Sequence, residues 1–121
     1  MIGIGIDAVD IERFRRLLER RPKVMERIFT ESERERLAVR ADPVPGLAAR
    51  FAAKEAAMKA LGTGLGGVRF ADVEIVGGTP DAPHLNIKGL AAKRAEALGL
   101  SSWAVSLTHT DAVAMAVVVA V

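Results

Sequence analysis

Apolar residues recur along this chain with two periods, and the switches between those periods mark out its elements. At the start, Ile2, Ile4 and Ile6 alternate with Gly3, Gly5 and Asp7, the two-residue period of a strand with one packed face. The isoleucines are the expected packed set, which leaves the other face as bare backbone ending in a carboxylate. If Asp10 caps a first helix, then Ile11, Phe14, Leu17 and Leu18 face the core at helical spacing. Thr30 and Glu33 have the spacing of a capping box and open a second helix through about Val39. The turn-rich segment 41–46, ADPVPG, breaks the pattern before a long third helix. At about 100° per residue, its Leu47, Phe51, Met58 and Leu61 fall on one narrow arc, the stripe of an amphipathic helix. Gly62 reads as its C-terminal cap. Residues 73–76 and 84–87 read as strands joined through GGTPDAP, and 88–98 as a helix ended by Gly99. Residues 103–109 and 112–121 close the chain as strands around a turn at Thr110 and Asp111.

The closing run AVAMAVVVAV has no polar residue on either face, so both faces must be covered. Two explanations stand: a central strand, or a strand that also forms a subunit interface.

A chain of 121 residues makes one domain with a modest core. With no cysteine it has no disulfide, no thiolate nucleophile and no cysteine-based zinc site, and a cytoplasmic setting is expected. Asp7 and Asp10 stand where a signal peptide would need its apolar region, and the run 112–121 is too short to span a bilayer as a helix. A soluble protein away from the membrane is expected. The formal charge of +2 decides little by itself, but its placement says more. Arg13, Arg16 and Arg20 line up along one face of the first helix, and Arg21 and Lys23 extend the patch. Such a face is either solvated or a docking surface for an acidic partner. Nucleic acid is the less suitable partner, because without tyrosine, and with most aromatics in apolar patterns, the chain lacks a stacking platform. A non-catalytic basic module binding RNA or an acidic protein is the alternative to an enzyme, and a purely structural oligomer is a third possibility.

The third helix carries the candidate chemistry. Lys54 falls inside its apolar arc, while Glu55 and Lys59 are neighbours along the flank. They form either a surface ion pair beside a snorkelling lysine or part of a site, since breaks in a binary pattern tend to mark function. Gly62, Gly64, Gly66 and Gly67 follow the helix, so they do not form a phosphate loop of the strand–loop–helix kind. Asp7 alone suits a strand end or a cap. Together with Glu55 and the two lysines it would suit magnesium carrying a pyrophosphate, because that ion takes one or two protein carboxylates. His109 shares a strand face with Trp103, Val105 and Leu107, which leaves it either buried or a ligand group at the strand end. Spacing does not bring these residues together.

Three motifs change the picture: GIGIDAVDIER at the N-terminus, RFAAKEAAMKALGTGLG in the middle and SLTHTD near the C-terminus. In that order they resemble the motifs of bacterial holo-acyl-carrier-protein synthases, small members of the 4'-phosphopantetheinyl transferase superfamily. The resemblance implies an α+β fold, mostly antiparallel sheet packed with helices, assembled as a homotrimer with active sites between subunits. It implies transfer of the phosphopantetheine arm of coenzyme A to a serine of apo acyl carrier protein, in the service of fatty acid biosynthesis. By the same resemblance Asp7 and Glu55 bind magnesium, and Lys59 contacts the phosphates at the reacting centre. Glu55 is then the candidate base for the serine, with Asp111 as a substitute. Arg50, Lys54 and Gly62 fall at the coenzyme A site, and His109 meets a coenzyme A phosphate from the neighbouring subunit. Arg13, Arg16 and Arg20 become contacts for the acidic carrier protein. Gly66 and Gly67 depart from the family pattern after Leu65.

Overall fold

In a computed structural model describing residues 1–63, 67–78 and 80–121, the chain runs β1 (Gly3–Asp10), α1 (Ile11–Arg20), α2 (Val24–Ile28), α3 (Glu31–Ala38) and α4 (Val44–Ala60). It continues through β2 (Val73–Val76), β3 (His84–Ile87), α5 (Gly89–Ala97), β4 (Trp103–His109) and β5 (Val113–Ala120). Strands β1, β5 and β4 form an antiparallel sheet in that order, and β2 pairs antiparallel with β3. This is the expected α+β arrangement. Gly64, Leu65 and Gly66 of the glycine-rich exit lie outside the described residues.

The first strand is turned the opposite way from the sequence expectation. Gly3 and Gly5 face the core, while Ile2, Ile4 and Ile6 face outward at 73%, 66% and 58% exposure. The cause is α4. A Cβ on Gly3 would overlap the Ala60 carbonyl oxygen, and one on Gly5 the Ala56 carbonyl oxygen. The helix meets the strand with its own small side chains, Ala52, Ala53, Ala56 and Ala60 among them, all buried. Backbone approach this close requires glycine, and it overrides the usual rule that the larger residues of an alternating strand pack inward. The functional consequence is proximity: the flank of α4 comes within one side chain of the end of β1.

Helix α4 is therefore not an amphipathic surface helix. It is buried on nearly every face and serves two cores, one with β2, α5 and β5, the other with α1 and α2. Pro45 sits in its first turn, where a missing N–H costs nothing. At its end Gly62 has φ +67°, Gly62 N donates to Lys59 O at 3.0 Å and Thr63 N to Met58 O at 3.1 Å, the double bond pattern of a Schellman cap.

Asp10 caps α1 by accepting from Arg13 N at 2.8 Å, and the Thr30–Glu33 capping box opens α3, both as the sequence predicts. Helix α2 is not foreseen, since five residues without a side-chain cap carry too little periodicity. The apolar final strand is central in its sheet, with Ala114, Ala116, Val118 and Ala120 buried against the core. Its other face is partly covered: half-buried Val119 and Val117 pair with exposed Ile4 and Ile6, which makes an apolar outer surface. Among the described residues, no helix is long and apolar enough to cross a membrane.

Candidate active site

The approach of α4 to β1 assembles the first part of the site. A cleft of about 390 Å³ is lined by Asp7 of β1, Arg13, Phe14 and Arg20 of α1, and Phe51 and Glu55 of α4, with further residues of β1 and α1. Lys59 Nζ donates to the Ile6 carbonyl oxygen at 2.8 Å and to Asp7 Oδ1 at 3.2 Å. Lys59 thus pairs with the strand rather than with Glu55, its neighbour one turn back. Burial raises the Glu55 carboxyl above its ordinary pKa, the Asp7 charge raises it further, and Lys59 opposes both.

Two carboxylates facing one opening against their mutual repulsion form a donor set that suits a divalent cation. Among the described residues no group of three or more His, Cys, Asp or Glu side chains gathers as a metal cluster. That excludes nothing for magnesium, which takes one or two protein carboxylates and fills its remaining positions with water and phosphate oxygens.

Lys54 corrects the expectation that it lines a coenzyme A site. Its side chain is 0% exposed, and Nζ donates to Glu33 Oε1 at 2.8 Å, Phe70 O at 3.0 Å and Val73 O at 2.7 Å. Three donors meet three acceptors, so the ammonium has nothing left for a ligand. Burial pulls the Lys54 pKa down and the adjacent Glu33 pulls it back. This lysine is explained by an internal partner, and not by a site or an interface.

A second cleft, of about 530 Å³, holds other expected residues. Arg40, Arg50, Gly78, Ser106, Thr108 and His109 are among those lining it. Arg50 is buried; Nη2 donates to Gly77 O at 2.9 Å and Nη1 to Gly46 O at 3.5 Å, while Nε has no partner among the described residues. Burial lowers the Arg50 pKa. The structure excludes the buried alternative for His109: the residue is exposed, with Nδ1 3.1 Å from Thr110 O. Neither Arg50 nor His109 lines the cleft that holds Asp7 and Glu55. Gly62 is exposed at the end of α4.

This geometry can be set beside known proteins. A family model described as the 4'-phosphopantetheinyl transferase superfamily matches residues 3–118. The chain belongs to that superfamily. A holo-[acyl-carrier-protein] synthase of Streptomyces avermitilis is 47% identical over 120 residues, covering 99% of this chain and 97% of the relative. The crystal structure of holo-[acyl-carrier-protein] synthase from Neisseria meningitidis matches with a TM-score of 0.87 at 36% identity, over 99% of this chain and 98% of that one. A synthase from Chronobacterium ammoniagenes, solved as a complex with CoA, matches with a TM-score of 0.87 at 30% identity, over 99% and 96% of the two chains. These likenesses make the chain an enzyme of the holo-acyl-carrier-protein synthase type, which sets aside the non-catalytic module.

Within this superfamily member, sequence reasoning overlooks three features. Glu33 reads as a capping-box residue, yet the same carboxylate also holds Lys54 and accepts from Ile75 N at 3.0 Å. Arg40 joins the second cleft from the turn before α4, where no periodic signal exists. Arg15 is held by Asp42, 27 residues away, in a pair that only the fold creates. Of the three expected docking arginines all are exposed, and Arg13 and Arg20 line the first cleft while Arg16 does not.

Proposed function

We propose that this enzyme transfers the 4'-phosphopantetheine arm of coenzyme A to a serine of an apo acyl carrier protein. It releases adenosine 3',5'-bisphosphate in a magnesium-dependent step of fatty acid biosynthesis in the cytoplasm. The observation that carries the proposal is the meeting of Asp7 and Glu55 at a cleft lined by Arg13 and Arg20, with Lys59 bonded to Asp7. The serine oxygen forms a bond to the pantetheine-side phosphorus. The bond from that phosphorus to the bridging oxygen breaks, and the bisphosphate leaves with the electron pair. Lys59 supplies fixed positive charge to the phosphate oxygens, usually the largest contribution to such a reaction. Magnesium held by Asp7 and Glu55 supplies further positive charge to the pyrophosphate when bound. Glu55 is the candidate to take the serine proton, directly or through water.

Arg13, Arg16 and Arg20 offer the acidic carrier protein an exposed cationic face, of which Arg13 and Arg20 line the same cleft. Arg50, His109 and Gly62 bind coenzyme A. Because Arg50 and His109 line a separate cleft, a complete site draws them from a neighbouring subunit. The exposed isoleucines of β1 and the half-buried valines of β5 supply the surface for a homotrimer.

The test is direct. Purified protein incubated with coenzyme A, magnesium and apo carrier protein is expected to add one phosphopantetheine per carrier, read by mass spectrometry. No addition with any divalent metal would sink the assignment. Sedimentation should give three chain masses, reduced to one by Ile6→Asp; a wild-type monomer that still turns over would remove the shared site.

A further inference from the structure

Helix α1 carries one arginine that the docking face does not use. Arg15 is only partly exposed, and its guanidinium is committed inside the molecule. Nη1 donates to Asp42 Oδ1 at 3.0 Å, Nη2 to Asp42 Oδ2 at 2.8 Å, and Nε to Glu12 Oε1 at 3.1 Å. Asp42 lies in the turn before α4, and its Oδ1 also accepts from Val44 N at 3.1 Å. One carboxylate therefore holds the first N–H of α4 and grips α1 with a two-bonded fork. A fork of this kind has a single working orientation, whereas an exposed pair adds little to overall stability.

Position 14 supplies a second attachment. Phe14 stacks on Phe51 of α4 with ring centroids 5.1 Å apart and planes 24° apart, and Phe51 is one turn before Glu55. Adjacent helical positions are rotated by about 100°, so Phe14 and Arg15 fasten two different sides of α1. The stacked rings set its distance from α4; the fork fixes its rotation. With that rotation Arg13 and Arg20 line the cleft that contains Glu55.

We infer that Arg15 is a positioning residue which, through Asp42, sets the rotation of α1 on α4 and so aims the docking arginines at the catalytic cleft. This rests on α1 being the surface that receives the acidic carrier protein, and it adds how that surface is held in register with the chemistry.

Three variants separate positioning from contact. Asp42→Asn keeps a side-chain oxygen for the Val44 N–H but loses the charged fork. Arg15→Lys keeps the positive charge but cannot bond twice in one plane. Each is expected to raise KM for the carrier protein about two- to five-fold, the range that follows from the worth of one exposed pair. The values of kcat and KM for coenzyme A should stay unchanged, and the double variant should be no worse than either single one. If Arg15 instead touches the carrier, Asp42→Asn frees a cation on a basic face and lowers carrier KM, a change of opposite sign that overturns the inference. Unchanged carrier KM in folded variants also overturns it. Hydrogen exchange tests the positioning without turnover: the α1 amides of Asp42→Asn should exchange faster than wild type, and equal rates count against it. Should wild-type protein transfer nothing to any carrier, the docking assignment fails while the exchange result still decides whether Asp42 holds α1.

Discussion

Lys54 and Lys59 stand five residues apart on α4, each meets a carboxylate from a distant element, and the two pairs have opposite fates. Lys54 and Glu33 are 2.8 Å apart with both side chains at 0% exposure, whereas Lys59 and Asp7 are 3.2 Å apart at 55% and 14%. At the first centre all three ammonium protons and both carboxylate oxygens are engaged. Glu33 Oε1 takes Lys54 and Thr30 N, Oε2 takes Ile75 N, and the ammonium spends its remaining protons on two carbonyls. At the second centre capacity is left over. Glu55 makes no hydrogen bond or ion pair among the described residues, although it is half-buried beside another carboxylate. A charge inside an apolar stripe is therefore a poor marker of function. The better marker is bonding capacity left open at the mouth of a cleft.

The strongest way to break this contrast is at the closed centre. Lys54→Met leaves Glu33 buried without its cation, a change that typically costs about 3–5 kcal/mol. Chemical denaturation should register that loss, and adding Glu33→Gln should recover part of it by removing the stranded charge. Turnover per folded molecule should stay near wild type. A Lys54→Met protein of full stability and lost activity would reverse the roles assigned to the two lysines.

The open centre should respond the other way. Glu55→Gln is expected to lower kcat by about 10²–10³-fold, the usual effect of losing one preorganised charge interaction at the transition state. It should not destabilise the fold. The folded protein holds the Glu55 proton to higher pH than the unfolded chain, because burial and Asp7 disfavour its charge. Ionising it therefore takes stability away as pH rises through the raised pKa, and the full contribution remains only below the ordinary glutamate range. Measured without divalent metal, the Tm of Glu55→Gln minus that of wild type should be near zero in acid and positive at neutral pH. A difference that is flat with pH would mean that neither burial nor Asp7 raises the Glu55 pKa in the folded protein.

Much of this molecule is legible along the chain, and the exceptions share a cause. The Asp10 cap, the Thr30–Glu33 box, both short strands of the hairpin and the helix ended by Gly99 all follow from neighbours within four residues. The motifs around Asp7 and Glu55 point to a pair of carboxylates, but their common cleft depends on glycine and alanine backbones meeting, which no period encodes. That same contact turns β1 over and exposes its isoleucines. Lys54 is misread because its partner is 21 residues earlier and is already explained as a cap. Arg15 and Asp42 belong to the same class, ordinary surface charges until the fold brings them together.

Lys59 offers the finest test of the contrast between spent and open bonding capacity. In the protein without ligands its ammonium rests on Asp7 and the Ile6 carbonyl, so one carboxylate of the proposed magnesium site is partly neutralised. Removing that charge should make the cleft more attractive to a divalent ion. A unit charge several ångströms away in a largely solvated setting is worth about 1 kcal/mol, so Lys59→Gln should tighten magnesium binding to the free protein by about five-fold. Thermal stabilisation titrated against magnesium without coenzyme A reads this directly, and adding salt should shrink the difference because the cleft is open. Weaker magnesium binding in Lys59→Gln would mean that the lysine orients Asp7 for the ion, which would make the second pair structural, as the first one is.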